Sequence, residues 1–176
     1  MPVQRLNHAV LYVRDVAVSA RFYAEALGFR PIDGMAEFAG AAFLRAPGST
    51  NDHDLGLFEV GSAAGSSGAG RSTVGLYHLA WEVDTLAELA RIKDRLAELG
   101  ALTGASDHST TKALYAKDPD GLEFEVSWLV PAAMITEQTL AAREQVRPLD
   151  LAAEQVRYGA DTRGGVGVSV PDLGTN

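Results

Sequence analysis

The chain states one pattern twice, and that repeat limits what it can fold into. Leu6-Asn7-His8-Ala9-Val10-Leu11-Tyr12-Val13 is answered 70 positions later by Leu76-Tyr77-His78-Leu79-Ala80-Trp81-Glu82-Val83. Phe58-Glu59-Val60 is answered by Phe124-Glu125-Val126. Each copy thus opens with a histidine and closes with a glutamate. Imidazole and carboxylate are ligand types that borderline divalent metals accept, so two such half-sites can build one metal centre. At 176 residues, 47% of them hydrophobic, the chain suits a single domain or two fused small modules with a core.

Within each copy the patterning follows one grammar. His8, Val10 and Tyr12 share one strand face and Ala9, Leu11 and Val13 the other. Asp15 is then placed to cap a helix, Val16, Ala20, Tyr23 and Leu27 recur at helical spacing, and Gly28 can take the positive φ that ends it. In the second copy Thr85-x-x-Glu88 resembles a capping box, Leu86, Leu89, Ile92, Leu96 and Leu99 form the stripe, and Gly100 closes it. Extended segments are predicted near 30–33, 36–45 and 54–60, then near 101–104, 111–117 and 122–128, with a turn at Asp118-Pro119-Asp120-Gly121. The reading is a first βαβββ module over 1–61, a Gly/Ser-rich linker over 62–74, a second module over 75–130, a partly helical extension over 131–158 interrupted by Pro148, and a disordered tail over 159–176. The linker has nothing to bury and is expected to be a mobile surface loop. The extension is expected to pack on the domain or on a second subunit.

Composition removes several function classes. No cysteine is present, so any metal must be held by nitrogen and oxygen, and disulfides and thiolate nucleophiles are excluded. The formal charge of −8, without a cluster of Lys or Arg, argues against nucleic acid. No stretch approaches the ~18 apolar residues of a membrane span and no basic leader precedes an apolar run, so a soluble cytoplasmic protein is expected.

Strand parity narrows the candidates. His78 shares its face with Ala80 and Glu82, and Glu125 with Glu123 and Ser127, opposite Phe124 and Val126. A pseudo-twofold relation between the copies is expected to bring His8, Glu59, His78 and Glu125 towards one point.

Asn7-His8-x-x-Leu11-x-Val13, Phe22-Tyr23-x-x-x-Leu27-Gly28-Phe29, Tyr77-His78-x-Ala80-x-x-Val83 and Asp118-Pro119-Asp120-Gly121-x-x-x-Glu125 together resemble the vicinal oxygen chelate superfamily across residues 4–130. The superfamily includes glyoxalase I, extradiol dioxygenases, fosfomycin-resistance transferases, epimerases and metal-free bleomycin-binding proteins. The resemblance implies an α+β fold in which paired βαβββ modules form a U-shaped, partly open mixed sheet around a divalent metal. A homodimer is also implied. Asp107-His108-x-x-Thr111-x-x-Leu114-Tyr115-x-x-Asp118-Pro119-Asp120-Gly121 looks most like the catechol 2,3-dioxygenase branch. Carried onto this chain, His8, His78 and Glu125 would hold Fe(II), Tyr115 and His108 would be catalytic, and an aromatic diol would be opened beside its hydroxyls by dioxygen.

Two positions depart from that branch. Leu122 stands where these families usually place Asn, and no histidine occurs in loop 61–70, ahead of His78, where an acid/base His is usual. His53 is the candidate substitute, binding substrate alongside Tyr12. Two other readings stay open. With Glu59 as a fourth ligand, the set resembles glyoxalase and epimerase sites that use Ni, Co, Zn or Mn in lyase or isomerase chemistry. A metal-free, drug-binding resistance protein is the third.

Overall fold

The computed structural model describes residues 2–3, 5–32, 39–69 and 72–165. They group into two compact units: the described residues of Met1–Thr73 with Asp118–Leu122, and those of Val74–Lys117 with Glu123–Asn176.

In the first unit β1 (Ala9–Val13) leads through α1 (Val16–Leu27) to β2 (Arg30–Pro31), β3 (Ala41–Arg45) and β4 (Leu55–Glu59). The sheet order is β1-β4-β3-β2, with β1 and β4 parallel and the other pairs antiparallel. Helix α1 starts where predicted: the Asp15 carboxylate accepts the Val18 N–H at 2.9 Å, and Gly28 ends the helix at φ 76°. Its buried face, Ser19, Tyr23, Ala26 and Leu27, covers the side of the sheet carrying Leu11, Val13, Leu55 and Leu57. Burying each leucine-sized side chain there contributes roughly 1.5–3 kcal/mol. The predicted strand from residue 36 is observed from Ala41; residues 36–38 lie outside the described set.

The second unit repeats the plan with β5 (His78–Glu82), α2 (Leu86–Glu98), β6 (Leu102–Asp107), β7 (Thr111–Lys117) and β8 (Glu123–Leu129). Its order is β5-β8-β7-β6, extended at the β6 edge by β9 (Arg147–Pro148). Leu86, Leu89, Ile92 and Leu96 bury against the face bearing Leu114, Phe124, Val126 and Trp128. Leu99, the last residue of the predicted stripe, is 36% exposed because the helix has already turned into its cap.

The C-terminal extension belongs to this unit. Two short 3₁₀ turns flank α3 (Glu137–Ala141), and α4 (Leu151–Tyr158) packs on α2. Pro148, expected only to interrupt a helix, lies in β9, an edge strand where its missing N–H costs no ladder bond. Residues 159–165, read from sequence as part of a disordered tail, are held by specific contacts. Gly164 and Gly165 donate to the Asp84 and Leu129 carbonyls at 2.7 and 2.9 Å, and Trp128 donates through its indole nitrogen to the Thr162 carbonyl. A Cβ on Gly164 would lie 2.7 Å from that indole nitrogen, so glycine marks a close approach here rather than disorder. Residues 166–176 lie outside the described set.

Candidate active site

The register of the second sheet puts the reactive side chains on one face. His78 pairs with Glu123, Ala80 with Glu125, and Glu125 with Tyr115, so His78, Glu125 and Tyr115 all project away from α2. His78 Nε2 lies 3.6 Å from Glu125 Oε2, outside hydrogen-bonding distance, and His78 Nδ1 is buried with no hydrogen-bond partner among the described residues. The ring thus has one nitrogen near a carboxylate and the other buried without a partner among the described residues. Tyr115 bonds His108 Nε2 through its hydroxyl at 2.8 Å. Burial, with the charge of Glu125 and a hydrogen bond to it, pushes the Tyr115 hydroxyl up to about 12. The two expected catalytic side chains are therefore hydrogen-bonded to each other, on a site that also contains two expected ligands. Glu82 and Glu123 share this face, as strand parity predicts; Glu123 forms an ion pair with Lys117 at 3.4 Å.

The first unit carries a different cluster. His8 Nδ1 donates to Asn7 Oδ1 at 2.8 Å, which leaves the Nε2 lone pair as the available donor. Its ring lies 4.4 Å from that of His53, and His53 Nδ1 is held by Asp52 Oδ2 at 2.9 Å. Phe43 packs edge-on against His53, with ring centroids 5.1 Å apart. Tyr12 is on the His8 face but four residues along, roughly 13 Å away at strand rise, and 75% exposed. It lines a groove of about 290 Å³ with Val10, Arg14, Val60, Ser67 and Leu122, and this groove includes neither His8 nor His53.

Glu59 lies on the other face of its sheet from His8. It pairs with Val13, whose face is buried under α1, whereas His8 belongs with Val10 and Tyr12 on the other face. Its Oε2 accepts the Val16 N–H at 3.2 Å, satisfying a free amide and the positive end of the helix. The matching Phe-Glu-Val triplets lie at different points of their strands, at the end of β4 and the start of β8. In register terms the counterpart of Glu125 is Gly56, opposite Val10, with Phe43 in the adjoining space.

Asn7 and Asp52, the orienting groups of the two first-unit histidines, were not among the predicted site residues; each immediately precedes the histidine it holds. Tyr77, also outside the predicted set, has its ring 4.6 Å from that of His78. The linker is pinned rather than loose at Ala64 and Ser66, both contacted by the Arg14 guanidinium, which is paired with Asp120 at 2.7 Å. Within the Asp118–Leu122 turn, Asp118 Oδ1 accepts the amides of Asp120 and Leu122 at 2.9 Å, and Tyr23 donates to Oδ2 at 3.2 Å. Leu122 closes the turn through its backbone, its N–H donating to Asp118 Oδ1 and its carbonyl accepting the Asp118 N–H at 3.0 Å.

Among the described residues, no group of three or more His, Asp or Glu side chains lies close enough to hold a metal. His78 and Glu125 are described within one unit and His8 within the other.

Residues 5–126 match the Glyoxalase/Bleomycin resistance protein/Dioxygenase superfamily, and the chain belongs to it. A Catechol-2,3-dioxygenase of Bacillus subtilis (strain 168) is 33% identical over 124 residues, covering 69% of this chain and 40% of that protein. The chain thus spans less than half of that relative. The crystal structure of a glyoxylase/bleomycin resistance protein/dioxygenase domain from Frankia sp. EAN1pec aligns with a TM-score of 0.59 at 25% identity, over 72% of this chain and 92% of that one. A glyoxalase/dioxygenase from Nostoc punctiforme aligns at 0.57 and 23% identity, over 70% and 90%. The α+β architecture of two βαβββ units is that of the vicinal oxygen chelate fold.

Proposed function

We propose that the chain is a metal-dependent enzyme that opens an aromatic ring beside a vicinal diol with dioxygen, with Fe(II) bound through His78 and Glu125 of the second unit. The observation that carries this reading is the 2.8 Å bond between His108 and Tyr115 on the site of the His78–Glu125 pair, whose separation is 3.6 Å. Two nitrogen or oxygen donors and a hydrogen-bonded acid/base pair then serve the same small volume. The donor chemistry fits a first-row divalent metal, and an imidazole with an orphaned buried nitrogen fits a ligand role. When bound, the metal supplies the coordination and redox chemistry of the oxygen reaction.

The remaining work belongs to protons and orientation. Tyr115, kept protonated by burial and by Glu125, is a donor throughout the neutral range. His108 can return a proton to it or draw one through it. In the first unit His53, held by Asp52, stands beside His8 as a second oriented imidazole. The sequence relative named for catechol cleavage supports the substrate class. Glu59 as a fourth ligand loses its support because it faces α1, which weakens the glyoxalase-like reading.

The test is oxygen uptake by anaerobically iron-loaded protein given a panel of catechols. The expected result is a yellow ring-opened product. Stoichiometric iron binding with no oxygen uptake across the panel would defeat the ring-cleavage reading.

A further inference from the structure

The second unit buries a complete ammonium ion that the site does not use. Lys112 of β7 is 0% exposed on the α2 side of the sheet, the face opposite Tyr115 and Glu125. A buried cation needs compensation, and two carboxylates provide it. Asp107 Oδ1 lies 2.5 Å from Nζ, and Glu154 Oε2 lies 2.9 Å away as a close ion pair without hydrogen-bond alignment. The Tyr158 ring is 5.6 Å from Nζ, and Arg147 stands 4.0 Å from the second Asp107 oxygen. Asp107 belongs to the core sheet, but Arg147, Glu154 and Tyr158 all belong to the extension. The ion cluster joins the extension to the sheet.

What it joins is the turn that carries His108. Asp107 and Lys112 are cross-strand partners, and residues 108–111 are the turn between them. Asp107 Oδ1 also accepts the Ser109 amide at 2.8 Å. Ser109 has φ 67°, the one positive φ of a residue other than glycine among the described residues. That conformation is unfavourable for a serine and persists only where the surroundings impose it. The Ser109 hydroxyl donates to the Thr139 carbonyl of α3 at 2.7 Å, a second tie to the extension. His108 N–H donates to Thr111 at 2.9 Å, closing the turn with the imidazole on Tyr115.

We propose that the C-terminal extension positions His108: Glu154, through Lys112 and Asp107, and the Thr139 carbonyl, through Ser109, hold the β6–β7 turn in the conformation that sets His108 Nε2 on the Tyr115 hydroxyl. Glu154, Lys112, Asp107 and Ser109 are positioning residues, and their effect on turnover rests on the reading proposed above. The arrangement is physically economical because the sheet separates the two faces. An ion cluster beneath α4 can govern the turn at the strand ends without occupying the substrate face.

The test uses the full chain with Ser109→Ala, Glu154→Gln and the double variant. Glu154→Gln preserves shape and leaves Lys112 its Asp107 partner, so the cation is not stranded. In metal-free protein, ¹⁵N-histidine NMR, with His108 assigned by loss of its signals in His108→Gln, reads the ring directly. The expected result is one ring tautomer in the parent and averaged tautomers in the double variant. In iron-loaded protein kcat is expected to fall about tenfold, with KM and bound iron unchanged. Unaltered His108 ring signals in the double variant overturn the proposal, whether or not the protein cleaves a diol. Averaged signals in a protein without ring-cleaving activity support the positioning role while removing the functional reading. If the double variant does not fold, Ser109→Ala alone decides by the same ring signals.

Discussion

The two β-sheets share a strand order and a histidine at the head of the first strand, but they surround that histidine with different chemistry. In the second sheet, Glu125 pairs two residues along from His78, and Tyr115 and His108 complete the group. In the first, the position two residues along from His8 faces Gly56, and the glutamate of the repeat has moved to the α1 side, where it caps a helix. His8 instead has imidazole and amide neighbours, His53 and Asn7, and Phe43 packs on His53. A duplicated fold can thus keep its topology while its two copies place different side chains around the equivalent histidine.

Substitutions that strike the halves unequally test this contrast. The largest effect is expected from Lys112→Met in the second sheet, which strands the Asp107 and Glu154 carboxylates and should cost about 3–5 kcal/mol in urea denaturation. A loss below 1 kcal/mol would mean that the cluster is not closed in solution. Next, Glu125→Gln should weaken Fe(II) binding on the order of a hundredfold, whereas Glu59→Gln should leave it unchanged. Calorimetric titration of both proteins compares the two glutamates directly, and equal losses would restore the four-ligand site. Tyr115→Phe should lower kcat roughly a hundredfold without changing iron content. Asp52→Asn, which only loosens the aim of His53, should lower it less, by about tenfold; the reverse order would shift the acid/base centre to the first sheet.

The pH dependence separates the halves further. Burial and the Glu125 charge both disfavour the tyrosinate, so in metal-free protein Tyr115 should titrate at about 12, against an ordinary 10.0. Glu125→Gln removes negative charge and must lower the midpoint; near-ultraviolet difference spectra follow it. Glu59→Gln should leave Tyr115 where it is. The smallest effect expected is on stability: loss of the Glu59 charge at the α1 N-terminus costs about 0.5 kcal/mol, read as a slight fall in the thermal midpoint.

Much of the fold was legible because periodicity reports burial. The alternation across His8–Val13 matches the exposed and buried faces of β1, and Asp15, Thr85, Gly28 and Gly100 stand at helix ends as their chemistry demands. Family likeness implied catalytic roles for His108 and Tyr115 separately; that their side chains are hydrogen-bonded to each other is visible only in the structure. The Phe-Glu-Val repeat misled because three identical residues carry no register. One step along a strand reverses the face, and only the ladder shows that Glu59 pairs with Val13. The glycines near the C-terminus misled for a related reason, since close contact with Trp128 and chain flexibility call for the same residue.

By itself the sequence determined the repeated βαβββ grammar, the absence of thiol chemistry and the short list of histidines and carboxylates, all of which follow from local periodicity and residue type. Only the tertiary structure decided which carboxylate faces a histidine, which imidazoles are aimed by a neighbour, and that a lysine in β7 is wholly buried against the C-terminal extension. Those outcomes depend on strand register and on contacts between residues far apart in the chain, where pairing energy rather than local propensity makes the choice.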